Sequence, residues 1–335
     1  MPEGPTGAHL TLGIETSCDE TAAAVVADGQ RVLADVVASQ AELFRRFGGV
    51  VPEIASRHHL ELLLPAVTAA LERSGVRLEA VDAVAVTQGP GLVGALLVGV
   101  CTAKTLAWAL DVPLVGVHHV LAHIYANFLP EAPALPAVCL VVSGGHTDLV
   151  VLDAAERLTV LGRTRDDAAG EAFDKLAREM GLGYPGGAAL ERLARGGDPA
   201  AVPLPRAWLG QDSADFSFSG LKTAALTALR RGAPSADLAA GFQAAAVEVL
   251  VEKTVRAARR LGVGQVLLAG GVSANGALRE AMARAAAREG LGLSFPPVRL
   301  CTDNAAMVAC AGYRRLERGE RAGWDLNAVA DLELT

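Results

Sequence analysis

LTLGIETSCDETAAAVVADGQRVLADVVAS, residues 10–39, is built of short Val/Ala/Leu runs broken at Ser17–Thr21 and again at Asp28–Gln30. Apolar and β-branched runs of this length, bounded by Gly, Asp and Ser, favour strands joined by tight turns, so the stretch predicts three successive strands. A second stretch, AVCLVVSGGHTDLVVLDAAERLTVLGRT at 137–164, repeats the pattern with breaks at Ser143–Thr147 and Asp153–Arg157. Helix-period segments follow each. After the first come a helix in GVVPEIASRHHLELLLPAVTAALERSG, a strand at DAVAVTQGP, a helix over Val93–Ala109 and a strand at PLVGVHH. After the second come DDAAGEAFDKLAREMG, a long helix near 237–261, a strand at QVLLAGG, a helix over Ala274–Arg288 and a strand at LGLSFPP. The order β-β-β-α-β-α-β-α therefore occurs twice, which predicts an α/β protein of two duplicated lobes.

Bulk properties agree. A chain of 335 residues exceeds what one core usually serves, and 51% hydrophobic residues suffice for strands buried on both faces. The Pro-rich run LPEAPALP at 129–136 restricts φ and removes donors, so it reads as a connector. The expected division is a loose tail at 1–9, a first lobe of 10–129 with 303–335, and a second lobe of 130–302. Five cysteines without a CxxC pair read as reduced thiols. Met1-Pro2-Glu3 lacks the basic start of a secretion signal, and Lys104, Asp111 and Pro113 interrupt the most apolar segment. The expectation is a cytoplasmic protein without a membrane span.

The chemistry starts at VHHVLAHIYANF. His119 and His123, four apart, share a helix face and can present imidazole nitrogens to one cation. An isolated H-x3-H more often marks polar residues satisfied at the end of an apolar element. A zinc peptidase of the H-E-x-x-H type needs Glu after the first histidine, and Val120 stands there, so that hydrolytic mechanism is disfavoured. Asp303, in LCTDNAAMVACAGYRRLE, is the best candidate for a third ligand; an ordinary helix cap is its alternative. Four Gly-rich turns, SGGHT at 143–147, YPGG at 184–187, SGLK at 219–222 and AGGVSANG at 269–276, suit phosphate, the last three because they open into helices. Neither a Walker motif nor a first-turn GxGxxG is found. The acids Glu15, Asp19 and Glu20 surround the first turn, where they can hold a metal-bound water, accept a proton from an incoming nucleophile or form a solvated hairpin. Asp166, Asp167 and Glu171 read as helix-start acids favoured by the dipole.

GIETSCDET, GGVVPEIASRHH, GPGLVGALLVG, VHHVLAH, LVVSGGHTDL, DDAAGEAFDK, GYPGG, DFSFSGLKT, AGGVSAN and CTDNAAMVA occur in that order over about residues 11–315. In these motifs the chain resembles the bacterial tRNA N6-adenosine threonylcarbamoyltransferase family (TsaD), formerly described as glycoproteases. The resemblance implies an actin/sugar-kinase/Hsp70-type fold with a cleft between the lobes. It also implies an acyltransferase reaction: passage of threonylcarbamoyl from threonylcarbamoyl-adenylate to N6 of adenosine 37 in tRNAs reading codons that begin with A. His119, His123 and Asp303 would bind one divalent metal, iron(II) by resemblance, with zinc or magnesium as alternatives. Val141, Val142, Ser143, Gly144 and Gly145 would line the adenylate site, an adenine nucleotide occupying the same cleft. Asp174 and Gly187 would meet the ribose and Asn275 the base, while Asp19 or Glu20 would take the N6 proton. The implied partners are tRNA, a paralogous non-catalytic subunit (TsaB-like) and a small ATPase (TsaE-like), with a homodimer left open. A formal charge of −7 departs from the basic footprint of a tRNA enzyme. The rival readings are a small-molecule kinase of the same superfamily, a metallopeptidase and a non-catalytic nucleotide-binding subunit.

Overall fold

The two triple-strand stretches form β1 (Leu10–Glu15), β2 (Glu20–Ala27) and β3 (Arg31–Ser39), and β6 (Ala137–Val142), β7 (Thr147–Leu152) and β8 (Leu158–Arg163), in a computed structural model that describes residues 7–129, 131–210 and 212–334. Between them lie α1 (Ala41–Arg45), α2 (Pro52–Ser74), β4 (Ala83–Gly89), α3 (Val93–Leu110), β5 (Leu114–His118) and α4 (His119–Tyr125). After β8 come α5 (Ala169–Glu179), α6 (Gly187–Ala194), α7 (Ser219–Arg230), α8 (Ser235–Leu261), β9 (Gln265–Ala269), α9 (Gly276–Arg288), β10 (Gly292–Ser294) and α10 (Ala305–Glu317). Residues 1–6 of the expected tail and Pro130 of the expected connector lie outside the described residues. His9 is tied to the first hairpin, its N–H donating to Asp28 Oδ1 at 2.9 Å.

The chain divides into two compact units, Met1–Ala132 with Pro296–Leu334, and Pro133–Phe295. Their sheets share one topology. The first runs β3-β2-β1-β4-β5 and the second β8-β7-β6-β9-β10; in each the triple-strand piece is antiparallel, and the two later strands add in parallel beside its first strand. The central strands β1 and β6 are buried throughout, as expected of strands covered on both faces.

In the first unit, α2 and α3 contribute Leu63, Val67, Val100 and Ala103 to a core with Leu12, Ile14, Val84 and Val86. α3 is the one described helix long and apolar enough to cross a membrane, and its Ala95, Leu96, Ala103 and Ala107 are buried in the unit. The opposite side of the sheet carries α10. At Gly13 an added Cβ would stand 2.2 Å from the Ala305 carbonyl oxygen, so glycine lets the helix backbone lie directly on β1. This return of the chain after residue 296 brings Asp303 into the unit that holds α4. In the second unit, Phe173, Leu176, Phe242 and Leu250 from α5 and α8 pack against Val138, Leu140 and Leu268.

Candidate metal centre and glycine-rich turns

Two histidines and one carboxylate converge in the first unit. β5 ends at His118 and α4 begins at His119, so the i, i+4 pair projects from a helix that starts where the parallel edge strand stops. Asp303 precedes α10, yet it is not the cap: Asn304 takes that role, its Oδ1 accepting the Met307 N–H at 2.9 Å. Asp35 on β3 accepts the Ala305 and Ala306 amides. With the helix start satisfied by these two side chains, Asp303 faces the histidines. Its Oδ1 lies 3.1 Å from His123 Nε2 and 3.6 Å from His119 Nε2, and the three candidate ligand atoms lie within 4.8 Å of one another.

Behind the trio stands Glu15, the last residue of β1 and fully buried. Its Oε1 accepts the Ser17 N–H at 2.6 Å, and its Oε2 accepts the Thr87 hydroxyl at 2.6 Å and faces His119 Nδ1 at 3.1 Å. The carboxylate therefore keeps a proton on Nδ1 and leaves Nε2, on the Asp303 side, as the nitrogen a metal would take. A carboxylate holding the far nitrogen of an imidazole is the usual support of a metal-ligating histidine. Burial alone would push the Glu15 carboxyl up; its interaction with His119, helped by Thr87, more than offsets this and holds it below the ordinary value. Burial opposes charge on His119 as well, but Asp303 and Glu15 outweigh it and raise the imidazole to about 9. Two carboxylates thus attract positive charge to one spot, where a proton or a metal ion can supply it. Two imidazoles and a carboxylate form a donor set that suits non-haem iron(II) and zinc, so the residues present fit a divalent ion.

The acids proposed for proton transfer sit at the β1–β2 turn. Glu20 Oε1 accepts the Ser39 hydroxyl at 2.8 Å, and its Oε2 is buried without a hydrogen-bond partner. Burial first, then the charges of Asp19 and Asp303, push its carboxyl up to about 7 against the Ser39 hydrogen bond. The turn itself is held by buried His59 of α2, whose Nδ1 lies 2.7 Å from Thr21 Oγ1 and whose Nε2 donates to the Cys18 carbonyl at 2.9 Å.

In the second unit Val141 and Val142 are fully buried at the end of β6, and the chain reaches the surface at the turn that follows them. Ser143 closes the turn, its N–H donating to the His146 carbonyl and its Oγ accepting the His146 N–H. Gly144 and Gly145 are exposed, and an added Cβ at either would meet no protein atom within 4 Å. The fold itself leaves room there for side chains, so packing among the described residues does not account for glycine at either position. Asp174 on α5 accepts the Gly186 and Gly187 amides at 2.8 and 3.0 Å, fixing the start of α6. Asn275 caps α9 through Leu278 N–H and donates Nδ2 to Gln243 Oε1 at 2.9 Å. Glu191 on α6 accepts the Gly276 amide at 3.1 Å, so the turns ending at Gly187 and Gly276 are tied together. Glu15, Ser17, Thr87, Asp35, Glu191 and Gln243 received no specific role from sequence reasoning. Of these only Glu15 carried a visible signal, as one of the acids around the first turn. The helix-start acids proved structural: Asp166 accepts the Ser217 hydroxyl and the Phe218 amide, and Asp167 pairs with Lys175 and Lys222.

Among solved structures, the activator of 2-hydroxyisocaproyl-CoA dehydratase from Clostridium difficile matches with a TM-score of 0.54 at 16% identity, covering 92% of this chain and 96% of that one. Full-length HypF matches with a TM-score of 0.64 at 13% identity, covering 97% of this chain and 57% of that one. These likenesses, with the doubled sheet order, define a protein of the actin/sugar-kinase/Hsp70 fold class. Within that class, residues 31–310 match the family described as TsaD, tRNA N6-adenosine threonylcarbamoyltransferase. The enzyme of that name from Symbiobacterium thermophilum is 63% identical over 331 residues, covering 97% of each chain. That from Bacillus subtilis is 54% identical over 331 residues, covering 97% of this chain and 95% of its own. The chain belongs to the tRNA N6-adenosine threonylcarbamoyltransferase family.

Proposed function

We propose that the protein transfers threonylcarbamoyl from threonylcarbamoyl-adenylate to N6 of adenosine 37 in tRNAs that read codons beginning with A. The observation that carries this reading, in a chain of this family, is the meeting of His119, His123 and Asp303 with Glu15 behind them. These three residues would hold a divalent ion, iron(II) or zinc. Such an ion supplies charge stabilisation, as a Lewis acid, to an oxygen that gains negative charge during acyl transfer. The backbone of Val141 and Val142, with Ser143, Gly144 and Gly145, would line the adenylate; Asp174 and Gly187 would meet its ribose and Asn275 its base. As N6 attacks, the bond from nitrogen to the carbamoyl carbon forms and the bond from that carbon to the phosphate oxygen breaks, releasing AMP. The surplus N6 proton passes to a carboxylate, Glu20 or Asp19. Glu20 is the better candidate because one oxygen is unpartnered and its carboxyl, at about 7, lies near the pH at which such a base operates.

The reading also includes partners. α2 and α3 expose Leu60, Leu64, Val93, Leu97 and Trp108, an apolar face suited to another protein, either the TsaB-like subunit or a second copy of this chain. A TsaE-like ATPase and a cytoplasmic site of work complete the proposal.

The direct test combines the metal-loaded chain, expected partners added one at a time, synthetic threonylcarbamoyl-adenylate and an ANN-decoding tRNA, with modified adenosine read by mass spectrometry. Modified nucleoside should appear, and His119→Ala should abolish it while leaving complex assembly intact. Absence of product with every partner combination, or full activity of His119→Ala, overturns the proposal.

A further inference from the structure

His118, the residue before the first histidine of the trio, is engaged at both ring nitrogens. Its Nδ1 accepts the Val120 N–H at 3.1 Å, capping α4, and its Nε2 lies 3.1 Å from the Leu332 carbonyl oxygen. An N–H aimed at one nitrogen and a carbonyl at the other fix the neutral tautomer, with the hydrogen on Nε2 donating to Leu332. α4 has seven residues, too few to hold its own geometry, so its direction comes from its ends and from packing against α10.

Leu332 belongs to a C-terminal strap that has almost no regular secondary structure but is tightly bonded to the first unit. Ala322 N–H donates to the Leu114 carbonyl on the edge strand β5, Val329 N–H to Gln88, and the Ala330 carbonyl accepts the Gly91 N–H. Lys104 Nζ donates to the Leu326 carbonyl at 3.1 Å. At Gly89 an added Cβ would lie 2.0 Å from the Val329 carbonyl oxygen, so the strap crosses the end of β4 backbone against backbone. These bonds lead along β4 and β5 to His118, the last residue before the helix that bears the candidate ligands.

We propose that His118 is a positioning residue for the His119–His123 helix, and that the strap, through Leu332, governs how tightly the trio holds a divalent cation. The proposal rests on the metal reading above. His118 acts through the backbone, by fixing where α4 starts and which way its first turn points.

The test uses the full chain with cobalt(II) as probe, followed by visible absorption, together with amide hydrogen exchange of the metal-free protein. His118→Ala removes cap and strap contact, and Val329→Pro deletes one strap hydrogen bond at a half-exposed position without touching the core. Both should weaken cobalt binding by about tenfold or more, the scale seen when the support of a ligand is lost, and both should speed exchange over residues 120–125. His118→Asn, whose Oδ1 can accept the Val120 N–H, should restore much of the slow exchange and an intermediate affinity. Unchanged exchange over α4 in both variants overturns the positioning role independently of any metal. Altered exchange with cobalt affinity equal to the parent overturns the claim about affinity, whereas a parent chain that takes up no cobalt overturns that claim and the metal reading together.

Discussion

At the scale of single residues, Glu20 offers a titration with a definite sign. Its folded-state carboxyl stands at about 7 against an ordinary 4.5, so between those values the folded protein binds the extra proton. Stability contributed by the protonated form is therefore present at low pH and declines as pH rises from about 4.5 to about 7. Glu20→Gln should stabilise the chain at pH 8 by about 1 kcal/mol, allowing for screening at a partly exposed group, and should leave stability at pH 4.5 nearly unchanged. Urea denaturation at the two pH values measures this, and an equal effect at both would remove the shifted titration. The contrast between Glu20 and Glu15 also marks what a sequence conceals at this scale. His119 and His123 are legible as a pair because four positions make one helical turn. The partner of His119 is 104 positions away, at the end of β1, and no local spacing reveals it. Asp303 was nominated by family resemblance as much as by chemistry, since Asp, Asn and Thr before a helix all resemble caps.

Among elements, the regular ones were legible. The helix expected over Val93–Ala109 spans Val93–Leu110, and the long helix expected near 237–261 spans Ser235–Leu261, because long apolar periods bounded by Gly and Pro leave little choice. Less legible were α4, too short for a periodic signature, and the aperiodic C-terminal strap, which turns out to be anchored in the first unit. The start of α10 shows why end chemistry matters to the site. Asn304 accepts the Met307 amide and donates Nδ2 to the Thr302 and Leu300 carbonyls, so one side chain caps the helix and ties down the loop bearing Asp303. Asn304→Ala should cost about 1–2 kcal/mol of stability, the cap accounting for most of it. A shift in urea midpoint corresponding to less than about 0.3 kcal/mol would mean that Asp35 alone holds the helix start.

For the whole molecule the governing quantity is charge. Against a formal charge of −7, the sequence clusters arginines at 45–46, 256–260 and 314–321 that could grip tRNA. The structure shows how those arginines are employed. Arg45 pairs with Glu42, Arg256 with Glu252 and Arg259 with Glu289. Arg315 and Arg318 share Glu320, while Arg315 Nη1 also donates to the Gly116 carbonyl and Arg318 Nη1 to the Tyr125 hydroxyl. Cations neutralised by neighbouring acids release few counterions from a nucleic acid, which predicts few effective phosphate contacts for this chain alone. With about three such contacts the logarithmic salt slope is near −2, and raising salt from 50 to 200 mM should weaken tRNA binding by about 20-fold; a fully basic footprint of eight contacts would lose about a thousandfold or more. Filter binding of an ANN-decoding tRNA to the chain alone, and then with a partner added, distinguishes the two cases. A shallow slope that steepens when a partner joins places much of the electrostatic grip outside this chain. A steep slope for the chain alone would show that the acids are displaced by phosphate on binding, and that the arginine pairs are a reserve released by tRNA.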